Sequence, residues 1–185
     1  KPASATPHVA TLIARMWEAV DLPAGVFNLV TGSGGAIGNE LITNSKVAAI
    51  SFTGSTRIGM NIAAESAKRS KRYQLEMGGK NPVIVLPDAD LEQAAEITVS
   101  GAMKYSGQKC TATSRAIVVG NIMEEFTNIV VEKTNALKIG HGSDPDSIIV
   151  PVIDQASKDN IASMIARGVA DGGSVLAGGG VPSGS

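Results

Sequence analysis

Residues 47–75 read VAAISFTGSTRIGMNIAAESAKRSKRYQL, and this stretch decides the fold. The apolar run 47–52 predicts a buried strand, Gly54 allows a sharp turn, residues 55–68 are predicted to form a helix, and residues 72–75 predict a second strand. A helix of this length between two strands implies parallel pairing through a right-handed crossover. The same alternation runs outward in both directions. Upstream, Thr6 is a plausible N-cap, Pro7 suits the first helical position, and Val9, Leu12, Ile13, Met16, Trp17 and Val20 predict a helix with one buried stripe. Asp21, Pro23 and Gly25 end it, residues 26–30 predict another buried strand, and the glycine-rich TGSGGAIG leads into a short helix ending near Thr43. Downstream, EMGGKNP interrupts the pattern. Strands are then predicted at 83–86, 116–119 and 174–177, with helices at 91–105, 123–137 and 154–169. The predicted class is α/β, with parallel sheets and helical crossovers. The break at Gly78 and Gly79 predicts a seam between a unit of residues 1–77 and one of residues 78–185.

Composition narrows the function. The 185 residues are 43% hydrophobic and 18% charged, with 16 Lys plus Arg against 17 Asp plus Glu, for a formal charge of −1. That balance argues against a disordered tail and against an electrostatic nucleic-acid binder. Aromatic residues make up only 3%, leaving few rings for stacked bases. One cysteine, Cys110, rules out an internal disulfide framework and a cysteine-rich metal site, and it fits a reducing, cytoplasmic setting. No apolar run approaches the eighteen or so residues that cross a bilayer, so no membrane partner is expected. The start KPASATPHVA and the Gly/Ser-rich end GGGVPSGS suggest a piece of a longer polypeptide.

Several residues could carry chemistry. The loop GSGGAIG spaces its glycines as GxGxxxG rather than as the dinucleotide fingerprint GxGxxG, so taken alone a tight turn is favoured over a cofactor loop. FTGST offers a better anion site, because Ser55 opens a helix whose free N–H groups and positive end can hold a phosphate. An ordinary Ser N-cap explains the same residues. Glu76 sits where a strand runs into two glycines, and its alternative is a solvated edge residue. Cys110 lies in the polar stretch GQKCTATSR with Lys109 beside it, a charge that favours the thiolate; taken alone, a lone Cys is more often structural or incidental. His8 and His141 read as surface histidines.

EMGGKNP followed by GQKCTATSR, with 34 positions from Glu76 to Cys110 and with FTGST ahead of both, resembles the signature set of the aldehyde dehydrogenase superfamily. KPASATP is similar to the segment that opens that family's cofactor site, and the resemblance runs from Lys1 to about Ala177. It implies part of a Rossmann-like cofactor domain followed by part of the α/β catalytic domain. It further implies Cys110 as nucleophile and Glu76 as the base that activates the deacylating water in NAD(P)-dependent oxidation of an aldehyde to an acid. The cofactor residues it implies are Lys1 on the adenosine ribose, Gly34 and Gly38 along its path, Gly54 and Ser55 at the pyrophosphate, Ile58 at the adenine and Met77 near the carboxamide. The partners implied are a small aldehyde and, for the full-length enzyme, further copies of itself.

Two departures matter. Members that prefer NAD commonly carry Glu where this chain has Ser4, so the resemblance implies a site that accepts or prefers NADP. The oxyanion-hole Asn and the nicotinamide-ribose Glu of the family correspond to positions before Lys1 and beyond Ser185. A fragment without activity, or a thioester hydrolase using Cys110 and Glu76 alone, are the competing readings. The GQKCTATSR variant resembles members that oxidise ω-oxo acids, in particular 2,5-dioxopentanoate (α-ketoglutaric semialdehyde).

Overall fold

Strand β1 (Ala49–Gly54) and strand β2 (Arg72–Met77) pair in parallel in the computed structural model, which describes residues 1–182. The last three residues of the GGGVPSGS ending lie outside the described residues. Helix α3 (Thr56–Ala67) makes the crossover and packs on both strands. Its first turn is set by Ser55, whose Oγ accepts a hydrogen bond from the Ile58 N–H at 3.4 Å. Such a cap satisfies one of the donors that helix geometry leaves without a partner.

The chain divides into two compact units, Lys1–Met77 and Gly78–Ser185. In the first, helix α1 (Pro7–Ala19) precedes a π-helical turn at Gly34–Gly38, which runs directly into helix α2 (Asn39–Thr43). Ile42 and Ile62 are the buried apolar side chains here. Lys71 is buried as well, and its ammonium donates to the carbonyls of Ile42 at 2.7 Å and Asn44 at 2.6 Å. It thereby supplies donors to carbonyls at the end of α2, where the Asn44 carbonyl also accepts from the Val47 N–H at 3.1 Å.

The second unit repeats the plan. Strand β3 (Asn81–Val85) and strand β4 (Thr113–Val118) are parallel, joined by helix α4 (Leu91–Met103). Helix α5 (Met123–Asn135) packs beside α4, and Val85, Ala95 and Phe126 form the buried centre. Asp90 caps α4 by accepting from the Gln93 N–H at 3.0 Å. Helix α6 (Gln155–Ala170) is capped in the same way by Asp154, which accepts from the Ser157 N–H at 2.7 Å.

Five expectations are corrected. No strand forms at 26–30 or at 174–177, because a strand exists only where its backbone finds a ladder, and neither run finds one among the described residues. Helix α1 forms as expected but none of its residues is buried: Val9, Met16 and the following Val20 are more than 60% exposed, and Trp17, 45% exposed, has its ring 6.4 Å from that of Phe27. Strand β1 is half-buried on one face, at Ile50 and Phe52, and otherwise exposed, since a two-stranded sheet covers little. The helix expected to run to residue 105 stops at Met103, where the chain tightens into a 3₁₀ turn. Tyr105 and Ser106 there take left-handed φ values of 58° and 55°, and Gly107 takes 70°. Non-glycine residues adopt that conformation at a cost of roughly 1–2 kcal/mol each.

Candidate active site

Both strands of the first sheet end together. The parallel register sets Thr53 opposite Glu76 and Gly54 opposite Met77, so the FTGST turn and the Glu76–Met77 pair share the carboxyl edge of the sheet. That edge is where open α/β sheets place their ligands. The Ser55 cap uses the Ile58 N–H, while the N–H groups of Thr56 and Arg57 have no acceptor inside the helix. Ser55 accepts through its oxygen and keeps a hydroxyl proton to donate. The cap and the anion site are therefore compatible. Gly59, one turn into α3, lies against Met77: a Cβ built there would come within 2.9 Å of Met77 Cγ. Ile58 is 37% exposed on this helix, and Glu76 is exposed at the edge.

The glycine loop sits beside the KPAS segment. Ser4 Oγ donates to the Gly32 carbonyl at 3.2 Å, and Lys1 Nζ donates to the neighbouring Pro2 carbonyl at 2.6 Å. Gly32 has φ +145°, and a Cβ there would strike Ile37, so the loop depends on glycine at this position. Ser33 closes the turn by accepting from the Ala36 N–H at 3.1 Å. Gly34 and Gly38 bound the π-helical turn, and a Cβ built at either would meet nothing within 4 Å. Their lack of side chains serves no contact within the described residues and leaves open surface over the turn, as close approach of a ligand to backbone requires.

Cys110 belongs to the second unit. Its side chain is exposed and its thiol free. The preceding Lys109 places its ammonium 4.0 Å from the centre of the Tyr105 ring, a geometry that holds a cation over an aromatic face. The left-handed turn at Tyr105–Gly107 is strapped to a distant segment: Ser106 Oγ donates to the Val150 carbonyl and accepts from the Val150 N–H at 3.0 Å, and Gln108 Oε1 accepts from the Ile153 N–H at 3.0 Å. Asn81 Nδ2 donates to the Cys110 carbonyl at 2.8 Å and to the Ala112 carbonyl at 3.0 Å.

In this arrangement Lys1, Ser4, Gly34, Gly38, Gly54, Ser55, Ile58, Glu76 and Met77 fall in one unit and Cys110 in the other. Within the first unit, the carboxyl edge of the sheet collects Gly54, Ser55, Glu76 and Met77, while Ser4 and the glycine loop gather around Gly32. Asn81, Ser106 and Gln108 were not singled out from the sequence, although EMGGKNP and GQKC contain two of them. A signal was present in the polar residues clustered around a lone cysteine, but their partners lie 29 to 45 residues away. His8 and His141 are exposed, as expected. Among the described residues no group of His, Cys, Asp and Glu could hold a metal ion, and no helix is long and apolar enough to cross a membrane.

Known proteins give the frame. The aldehyde dehydrogenase family model matches residues 1–185. Alpha-ketoglutaric semialdehyde dehydrogenase of Bacillus subtilis (strain 168) is 45% identical over 179 residues, which cover 97% of this chain and 37% of that protein. Among solved structures, a double mutant of betaine aldehyde dehydrogenase from Staphylococcus aureus, in complex with NAD+, has a TM-score of 0.96 at 32% identity, covering 100% of this chain and 37% of that one. An NADP-dependent enzyme of E. coli has a TM-score of 0.94 at 38% identity, covering 98% of this chain and 38% of that one. The chain thus spans little more than a third of the length of these relatives.

Proposed function

The chain belongs to the aldehyde dehydrogenase family, and from that premise we propose that it carries the nucleophile, the hydrolytic base and part of the cofactor site of an enzyme that oxidises a small aldehyde to its acid. Residues 1–77 form the later part of the cofactor domain and residues 78–185 the first part of the catalytic domain. The observation that carries the reading is the shared edge of β1 and β2, where a capped helix N-terminus lies beside Glu76 and Met77.

The residues present fit a dinucleotide. Thr56 and Arg57 N–H groups and the Ser55 hydroxyl suit a pyrophosphate at the positive end of α3. Open surface over Gly34 and Gly38 suits the adenosine path, with Ile58 toward the adenine and Met77 toward the carboxamide. Lys1 and Ser4 stand toward the ribose. Gly54 lets the chain turn from strand to helix beneath the phosphates.

In the reaction the Cys110 thiolate adds to the aldehyde carbon, forming a C–S bond and moving an electron pair onto oxygen. The backbone N–H of Cys110 is one donor for that oxyanion, and a donor of this kind is worth on the order of a hundredfold in rate. NAD(P), when bound, supplies the acceptor for the hydride that leaves the adduct and makes it a thioester. Glu76 then takes a proton from water, the oxygen adds to the acyl carbon, and the C–S bond breaks to return the thiolate. The products are the acid and the reduced cofactor. The likeness to an alpha-ketoglutaric semialdehyde dehydrogenase, at 45% identity, supports an ω-oxo acid such as 2,5-dioxopentanoate as substrate. The reading fits a cytoplasmic enzyme that assembles as a homo-oligomer.

Pre-steady-state kinetics of the full-length protein test the reading. Cys110→Ala is expected to abolish NAD(P)H formation with every aldehyde while cofactor affinity stays within a few-fold. Glu76→Gln is expected to give one burst of NAD(P)H followed by slow turnover, because only hydrolysis needs the base. Substantial turnover in Cys110→Ala rules out the covalent route.

A further inference from the structure

We infer that Asn81 is the positioning residue for Cys110, holding the nucleophile's own peptide in place; the inference rests on the reading of Cys110 as nucleophile. Asn81 opens β3, and the ladder with β4 changes register immediately after it: Asn81 is opposite Thr113, while Pro82 is opposite Arg115. Pro82 has no N–H to give. Where the backbone ladder is interrupted, the Asn81 side chain takes its place, and one amide nitrogen donates to the carbonyls of Cys110 and Ala112. Both N–H bonds of that nitrogen are thereby used. The turn they hold is closed by the Ala112 N–H donating to the Lys109 carbonyl at 3.2 Å.

Two neighbours fix the rest. Gly79 leaves room for the amide, since a Cβ there would come within 3.3 Å of Asn81 Oδ1. Ser106 and Gln108 anchor the approach to the turn on Val150 and Ile153. Cys110 is exposed in this loop, and an exposed loop peptide is ordinarily mobile. A nucleophile held loosely loses rate steeply, because attack needs the reacting atoms within about 3–3.5 Å and aligned. Asn81 touches neither aldehyde nor cofactor in this scheme; it acts through the Cys110 carbonyl.

The test uses the full-length protein with Asn81→Ala, Asn81→Asp and Asn81→Ser. Asn81→Asp keeps the shape but turns an acceptor toward two carbonyls, and Asn81→Ser keeps one donor. In Ala and Asp variants kcat is expected to fall at least about tenfold with KM for NAD(P) within about threefold, a split that marks loss in the chemical step. Their Cys110 is expected to react with iodoacetamide at a rate altered by at least about threefold. Asn81→Ser should lie between wild type and Ala in both measurements. A merely structural role would lower the melting temperature and leave kcat per folded molecule unchanged. Folded variants with wild-type kcat and wild-type alkylation overturn the inference, and should Ala and Asp fail to fold, an Asn81→Ser protein with unchanged kcat overturns it alone. The parent reading fails separately, through turnover in Cys110→Ala.

Discussion

Ser4 is the residue on which cofactor choice is proposed to turn. Its hydroxyl donates to Gly32 at the glycine loop, so whatever stands at position 4 faces the backbone that lines the proposed ribose site. A 2′-phosphate brings up to two negative charges, which Lys1 attracts and a neutral hydroxyl tolerates. Ser4→Glu is expected to lower kcat/KM with NADP by at least about tenfold, or ~1.4 kcal/mol, while NAD use changes far less because free ribose hydroxyls can donate to the carboxylate. Parallel measurement with both cofactors checks it, with Ser4→Ala as the control for the lost bond to Gly32; an unchanged ratio in Ser4→Glu sinks the assignment. Residues of this kind could be proposed from the sequence because they stand in short contiguous motifs. Asn81 could not, because its meaning comes from carbonyls 29 and 31 residues away.

At the level of the element, the unit β1–α3–β2 was legible because each signal agreed: an apolar run, a glycine turn, a Ser cap and a second strand. The runs at 26–30 and 174–177 looked equally strand-like and were not strands, since apolar composition does not supply a pairing partner. Periodicity likewise announced α1 as a helix without revealing what covers its stripe. The contact between α3 and β2 yields a test. Gly59→Ala gains about 1 kcal/mol of helix propensity, yet crowds Met77 from 2.9 Å, and overpacking costs roughly 1–3 kcal/mol. A net loss of up to about 2 kcal/mol is expected by denaturant unfolding, together with weakened NAD(P) binding as Met77 is displaced. Met77→Ala in the same background should recover the stability, and a more stable Gly59→Ala with normal cofactor binding would show that Met77 has room to move.

Across the whole molecule, charge is spread thinly and, the buried Lys71 apart, lies toward the surface, so pH acts through a few identifiable groups. Hydrogen bonds from Lys68, then Arg69, hold the Glu65 carboxyl below its ordinary range. Lys138 does the same for Asp144, and Ser157 for Asp154 at the head of α6. A carboxyl depressed in the folded state stabilises it above its unfolded pKa, near 4, and that stabilisation is lost as pH falls through the lower folded value. Lys133 runs the opposite way: raised first by its hydrogen bond to Glu92, it stabilises below about pH 10 and the effect is lost as pH rises through its folded value. The melting temperature is therefore expected to be flat from about pH 5 to 9 and to fall below about pH 4. Replacing Glu65, Asp144 and Asp154 by their amides should flatten the acid limb in a thermal scan; a limb of unchanged steepness would assign it to other carboxyls. The two-stranded sheets carry a further consequence. Successive N–H groups along a parallel strand point to opposite sides, and among the described residues each strand has a neighbour on one side only. Deuterium uptake along β1, β2 and β4, and along β3 after Pro82, should therefore alternate residue by residue, slow where the amide enters the ladder and fast where it faces outward. The fast set traces the edges onto which further strands of polypeptide can be laid.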